Sequence, residues 1–223
     1  MTTPSRVLLP GRGEPARRRF LAQFGIASAS LGAIVGSAIP AQAQSAPPSP
    51  RRHAADDWMD ALPAAHRMVF DAVSATGAED IRHYASNVFL ANRTGYDVDS
   101  RDVGVIIVLR HNATPFAYND AMWAKYGSAF AAEMKLDPGT AKANPANAGS
   151  ETLDAVGRQG AQFAVCAMAT RRFAGIAAHN GGTADAIFEE LGKNLIANAH
   201  LTPAGIVAVG RAQERGFAFG YAG

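Results

Sequence analysis

Cysteine is nearly missing from this chain: Cys166 is the only one in 223 residues. An internal disulfide is therefore excluded, so stability has to come from packing and from contacts between subunits. Charge is sparse as well, with Asp, Glu, Lys and Arg making up 18% of the sequence. No uninterrupted run of about 20 strongly apolar residues occurs, which excludes a long hydrophobic spanning helix. Metal-ligand spacing is also lacking. Cys166, His111 and His179 are the set that could be drawn together, and no two of them stand at a recognised interval, so neither a metal nor another cofactor is expected.

Positive charge is concentrated at the beginning. Arg6, Arg12, Arg17, Arg18 and Arg19 stand against Glu14 alone, and setting those six residues aside turns a formal net charge of +2 into −2. The remainder presents no basic surface of the kind nucleic acid or anionic membranes require. Arg17-Arg18-Arg19-Phe20-Leu21 fits the twin-arginine export pattern. Phe24 to Ile39 is a weakly apolar stretch rich in Ala, Gly and Ser, Pro40 breaks it, and Ala41-Gln42-Ala43 supplies a small-x-small cleavage site. Residues 1–43 are thus expected to be a removable export signal that sends the protein to the periplasm or otherwise out of the cytoplasm, with no membrane attachment after cleavage. Residues 44–61, with Pro47, Pro48 and Pro50, read as a linker, and residues 62–223 as one domain.

Within that domain strands and helices alternate. Arg67-Met68-Val69-Phe70, closed by Asp71, is a short first strand. Ala78 to Asn92 puts Ile81, Tyr84, Ala85, Val88 and Phe89 on one helical face, and Gly95 is the expected stop. Val103 to Leu109 is a continuous β-branched run without polar alternation, the pattern of a strand covered on both faces in a parallel sheet. Thr114-Pro115 is expected to open the next helix, whose Phe116, Trp123, Tyr126 and Phe130 form an aromatic stripe suited to core, subunit interface or the wall of a haem pocket. A polar loop runs from Lys135 to Gly149, and Ser150 can cap a helix ending at Gly160. After the Cys166 strand, Arg171 to Ala178 and a helix capped by Thr183 follow. Leu195 to Leu201 is the fourth strand, Thr202-Pro203 opens a last helix running to Arg215, and Phe217 to Tyr221 is the fifth. The expected fold class is α/β, a three-layer sandwich with a mostly parallel sheet of about five strands flanked by helices.

The stretch from Gln162 to Thr170 is where chemistry concentrates. An apolar strand there ends in Cys166, near the amino end of the next helix, which is where open α/β sheets place ligand sites. Unpaired N–H groups and the positive helix end favour a reactive thiolate. His111 ends the neighbouring strand and can tune the thiol or act as a base. Arg110, Asn112 and Thr114 line the same mouth as candidate substrate-binding residues, although Asn112 and Thr114 also suit turn and N-cap roles. Asp71 lies at a strand end too. Gly181-Gly182 can cradle an anion, and Arg171-Arg172 suits a solvated face.

The unit Gly160-Ala161-Gln162-Phe163-Ala164-Val165-Cys166, the ending from Thr202-Pro203-Ala204-Gly205-Ile206 through Gln213 to Phe219, and the apolar strand leading to His111 together resemble the DsrE/DsrF-like family of small α/β proteins, over roughly residues 64–223. The resemblance implies a parallel sheet with flanking helices, homotrimers or larger rings such as hexamers, and a cysteine carrying persulfide sulfur between donor and acceptor proteins. Cys166 matches that cysteine. The relay proteins are cytoplasmic, and this chain carries an export signal. Two functions are therefore expected: an exported sulfurtransferase or persulfide carrier acting through Cys166 with His111, or a non-catalytic oligomeric binding module with a buried structural cysteine.

Overall fold

The computed structural model describes residues 49–62, 65–137 and 141–223; the expected export signal and cleavage site, residues 1–43, lie outside the described residues. Five strands, β1 (His66–Ala72), β2 (Val103–Leu109), β3 (Gln162–Cys166), β4 (Ala199–Thr202) and β5 (Ala218–Ala222), form one sheet in the order β4-β3-β2-β1-β5. Every pairing is parallel. β2 is the middle strand and all seven of its residues are buried, as its unbroken apolar run requires.

The helices are α1 (Asp57–Asp60), α2 (Ala75–Tyr96), α3 (Asp120–Met134), α4 (Leu153–Arg158), α5 (Ala167–Ala178), α6 (Ala184–Lys193) and α7 (Gly205–Gln213). Three successive connections step from β1 to β4 in one direction, and their helices cover one face. There Phe70, Ile107, Leu109, Phe163 and Val165 pack against Ile81, Phe89, Trp123, Phe130 and Phe173. The last connection returns across the opposite face and sets β5 beside β1. On that face Val69, Ile106, Val108 and Ala164 meet Ala208, Val209 and Ala212 of α7 and Met59 of α1. The result is a three-layer α/β sandwich with one thick and one thin helical layer.

Several boundaries differ from the sequence expectation, each for a local reason. α2 starts earlier because the Ser74 side chain accepts the Gly77 N–H at 2.9 Å, and it passes through Gly95 to stop at Asp97, whose φ of 54° ends it. Thr114-Pro115 does not open a helix: both lie inside a 3-10 segment, His111–Ala117, and the cap of α3 is Asn119, which accepts the Met122 N–H. Thr152, not Ser150, caps α4. The helix after β3 begins at Ala167 rather than Arg171. Thr202 belongs to β4, and α7 begins only after Ala204. The end of the expected linker is ordered: Met59 of α1 is fully buried against the sheet. The aromatic stripe is core and not a haem wall, since Phe116, Trp123 and Phe130 are sealed inside with the Trp123 ring in contact with both others, while half-buried Tyr126 turns its hydroxyl to Glu190 at 2.5 Å.

Candidate functional site

Register decides which side chains meet at the carboxyl rim. Asp71 is paired with Val108, Val108 with Ala164, and Ala164 with His200, so these positions share the thin face, and two residues on Cys166 is paired with Thr202. Arg110 follows β2 directly on that face, its Cβ against Gly205.

Cys166 is the last residue of β3 and the N-cap of α5. Its Sγ accepts the Ala169 N–H at 3.4 Å, so sulfur occupies the place a hydroxyl or carboxylate oxygen usually takes. A short relay fixes the backbone behind it: the Tyr118 hydroxyl donates to Thr170 Oγ1 at 3.0 Å, and Thr170 donates to the Cys166 carbonyl at 3.0 Å. Burial pushes the Tyr118 phenol far up, so it stays protonated as a donor. Cys166 is 7% exposed, and what exposure it has opens into a cavity of about 270 Å³.

Arg110, His111, Arg172, Ala204 and Ile206 are among the walls of that cavity. Arg110 grips Asp71 with two hydrogen bonds, Nε to Oδ1 at 2.7 Å and Nη2 to Oδ2 at 2.9 Å. The pair is largely buried, with Asp71 only 3% exposed at its side chain. These bonds raise Arg110 above its ordinary range, making it a permanent cation at the rim. His111 is exposed and holds a left-handed backbone with φ 50°, at the turn where the chain leaves β2. Strain of this kind in a non-glycine residue is found where surrounding structure over-determines it. The neighbouring amides donate inward, Arg110 N to Ala72 O and Asn112 N to Val73 O.

Of the residues singled out in the sequence, the structure brings Cys166, His111 and Arg110 to one cavity. Asn112 is not a lining residue and accepts from one that is, Arg172 Nη2, at 2.7 Å. Thr114 is not brought there; it is fully buried and donates to the Leu109 carbonyl at 3.3 Å. His179 sits at the far end of α5, and among the described residues no cluster of three His, Cys, Asp or Glu is placed to hold a metal. Arg172 is exposed, as a solvated face requires, and it also lines the cavity, pairing with Glu133 and lying 4.4 Å from the centre of the Phe173 ring. The signal that could have found it is spacing: with Cys166 as N-cap, Ala169 and Arg172 follow at intervals of three on one helix face. A larger cavity, about 680 Å³, lies between Asn119, Asp154 and Asn198, but it has no thiol or imidazole in its wall.

No protein-family model matches the sequence, and no curated protein matches it. Among solved structures, the chain is similar to a protein of unknown function, MTH1491 from Methanobacterium thermoautotrophicum, at 17% identity and a TM-score of 0.37, covering 70% of this chain and 98% of that one.

Proposed function

We propose that this is an exported DsrE/DsrF-like protein whose Cys166 takes up sulfane sulfur or reacts with a small thiol at the carboxyl rim of the sheet, with His111 tuning the reaction. The observation that supports it is the convergence of the thiol, His111 and Arg110 on one solvent-reached cavity. The Cys166 thiolate attacks the sulfane sulfur of a donor, the donor's former partner leaves with the bonding electrons, and the resulting persulfide is held at the start of α5 until an acceptor removes its outer sulfur. Having no second cysteine, the chain cannot collapse that intermediate into an internal disulfide. Export by the twin-arginine route is supported by the signal pattern in residues 1–43. Assembly into a homotrimer or hexamer belongs to the same reading. The edge strand β5, with exposed Phe219 and Tyr221 and neither charge nor proline to guard it, supports such an assembly.

A second reading rests on the low exposure of Cys166: a non-catalytic binding or assembly module whose cysteine merely caps α5. One experiment separates the two. On the first reading, the folded protein is labelled by a thiol reagent and gains about 32 mass units from a sulfane-sulfur donor, both lost in Cys166→Ser. Labelling only after denaturation assigns the cysteine to structure. Light scattering of the purified protein reports the assembly.

A further inference from the structure

We propose that the Cys166 cavity selects a small anionic sulfur donor, one whose sulfane sulfur is bonded to an oxyanion group, with thiosulfate as the simplest example. The inference rests on the sulfur-handling reading and specifies its substrate class.

Three observations on the cavity wall point the same way. Arg110 and Arg172 both line the cavity, and none of the lining residues is acidic. The carboxylates that accompany them, Asp71 and Glu133, stand outside the lining. Asp71 occupies Nε and Nη2 of Arg110, leaving Nη1 without a hydrogen bond to any described residue.

The second observation is the start of α7. Ser74, Asn119, Thr152, Cys166 and Thr183 each cap a helix with a side-chain acceptor, whereas α7 and the four-residue α1 have none. α7 begins after Ala204, which holds the extended N-cap backbone, φ −151° and ψ 136°, but offers no acceptor. The amides of Gly205 and Ile206 make no hydrogen bond to a described residue, and both residues line the cavity. An anion supplies what the missing cap does not.

The third observation is what lets that helix end approach so closely. A Cβ on Gly205 would lie 2.6 Å from Cβ of Arg110, so only glycine allows the α7 start to rest against the arginine. Uncapped amides, the two arginines and the nucleophile therefore border a space of about 270 Å³, enough for a five-atom anion.

The chemistry balances without an added oxidant. Cys166 loses its proton to solvent, and its sulfur bonds to the outer sulfur of thiosulfate. The bond between the two thiosulfate sulfurs breaks, and sulfite departs with the electron pair. The protein is left as the Cys166 persulfide. Charge on the sulfonate end, held by the α7 amides and the arginines, orients the outer sulfur toward Sγ and stabilises the departing sulfite.

The test installs the missing cap. In Ala204→Asp and Ala204→Ser, a side-chain oxygen occupies the amides of α7. Persulfide formation on the full chain is followed by intact mass with two probes, sodium thiosulfate and the uncharged donor diallyl trisulfide. Expected is a fall of tenfold or more in the ratio of thiosulfate to trisulfide rates for Ala204→Asp, a smaller fall for Ala204→Ser, and a melting temperature raised by about 2–4 °C in both, because the cap stabilises the helix. An unchanged ratio, or a wild-type protein that takes sulfur from the trisulfide but not from thiosulfate, overturns the anionic donor and leaves the sulfur-handling reading standing. Failure of both probes to add sulfur to the wild-type protein overturns that reading and this inference with it.

Discussion

The two faces of the sheet are covered unequally, and the inequality tells where the chemistry is. The thick face carries α2 to α6 and a fully buried aromatic cluster in which Trp123 and Phe173 meet the Phe130 ring edge-on. Its few polar atoms have partners at hand: Trp123 Nε1 donates to the Pro115 carbonyl at 2.9 Å. The thin face has one nine-residue helix and the short α1 over it. There the sheet presents Asp71, Arg110, Cys166, His200 and Thr202, residues that a dry aromatic layer would make costly. Thin cover lets water and ligands reach the rim, and the thick layer supplies the stability that the thin one lacks.

The sharpest way to break this contrast is to hollow out the thick face. Trp123→Ala is expected to cost about 3–5 kcal/mol in chemical denaturation, because it removes a sealed ring and leaves a cavity. A loss below about 1 kcal/mol would mean that the layer is not the stabilising one. Next comes Asp71→Ala, which strands the Arg110 guanidinium. Because Arg110 keeps 18% side-chain exposure, the cost belongs near the low end of the range for broken buried pairs, about 3 kcal/mol. Adding Arg110→Met should restore most of that stability while slowing sulfur loading of Cys166, which separates the fold's need for the pair from the site's. Gly205→Ala ranks third, with a loss of about 1–3 kcal/mol from overpacking against Arg110. It should also slow thiosulfate loading, since the α7 amides are pushed away from the rim.

The same contrast explains what could be read from the sequence. β2 and, after Gln162, β3 were legible because a strand covered on both faces must be apolar, and Thr183 marked the start of α6 because its side chain accepts the Ala186 N–H. Thr114-Pro115 misled because a good local cap signal was overridden by tertiary structure: Thr114 turns inward to the Leu109 carbonyl while Asn119 takes the capping role. At the site, Cys166 and His111 could be placed by strand ends alone. The Asp71–Arg110 pair needed the knowledge that β1 and β2 are adjacent, which no local pattern carries. The bare start of α7 was hidden for a different reason. It is defined by an acceptor that is lacking, and Thr202-Pro203 presents a helix-start pattern two residues before the true cap at Ala204.

The smallest expected effect concerns the β4 side of the thin face, where Trp58 of α1 meets the sheet. Trp58 stacks on His200 with ring centres 4.2 Å apart and planes within 6°, and His200 Nε2 lies 2.9 Å from Gln162 Oε1. Burial lowers the His200 pKa below its ordinary 6.5, because the imidazolium loses solvation there. Above about pH 6.5 the imidazole is neutral in both folded and unfolded chains, and its contribution to stability is fully present. Below that value the unfolded chain takes up the proton first, so stability is lost as the pH falls through the lowered folded value. The drop in melting temperature between pH 8 and pH 5.5 should therefore be larger in the wild type than in His200→Phe, which keeps a ring to stack on Trp58 but cannot titrate. The Asp60 carboxylate, lowered from 3.8 chiefly by its hydrogen bond to Arg215, stays charged across that window and does not blur the comparison. Equal drops in the two proteins would show that His200 is as well solvated folded as unfolded, and that α1 is held by Met59 and the Asp60–Arg215 pair instead.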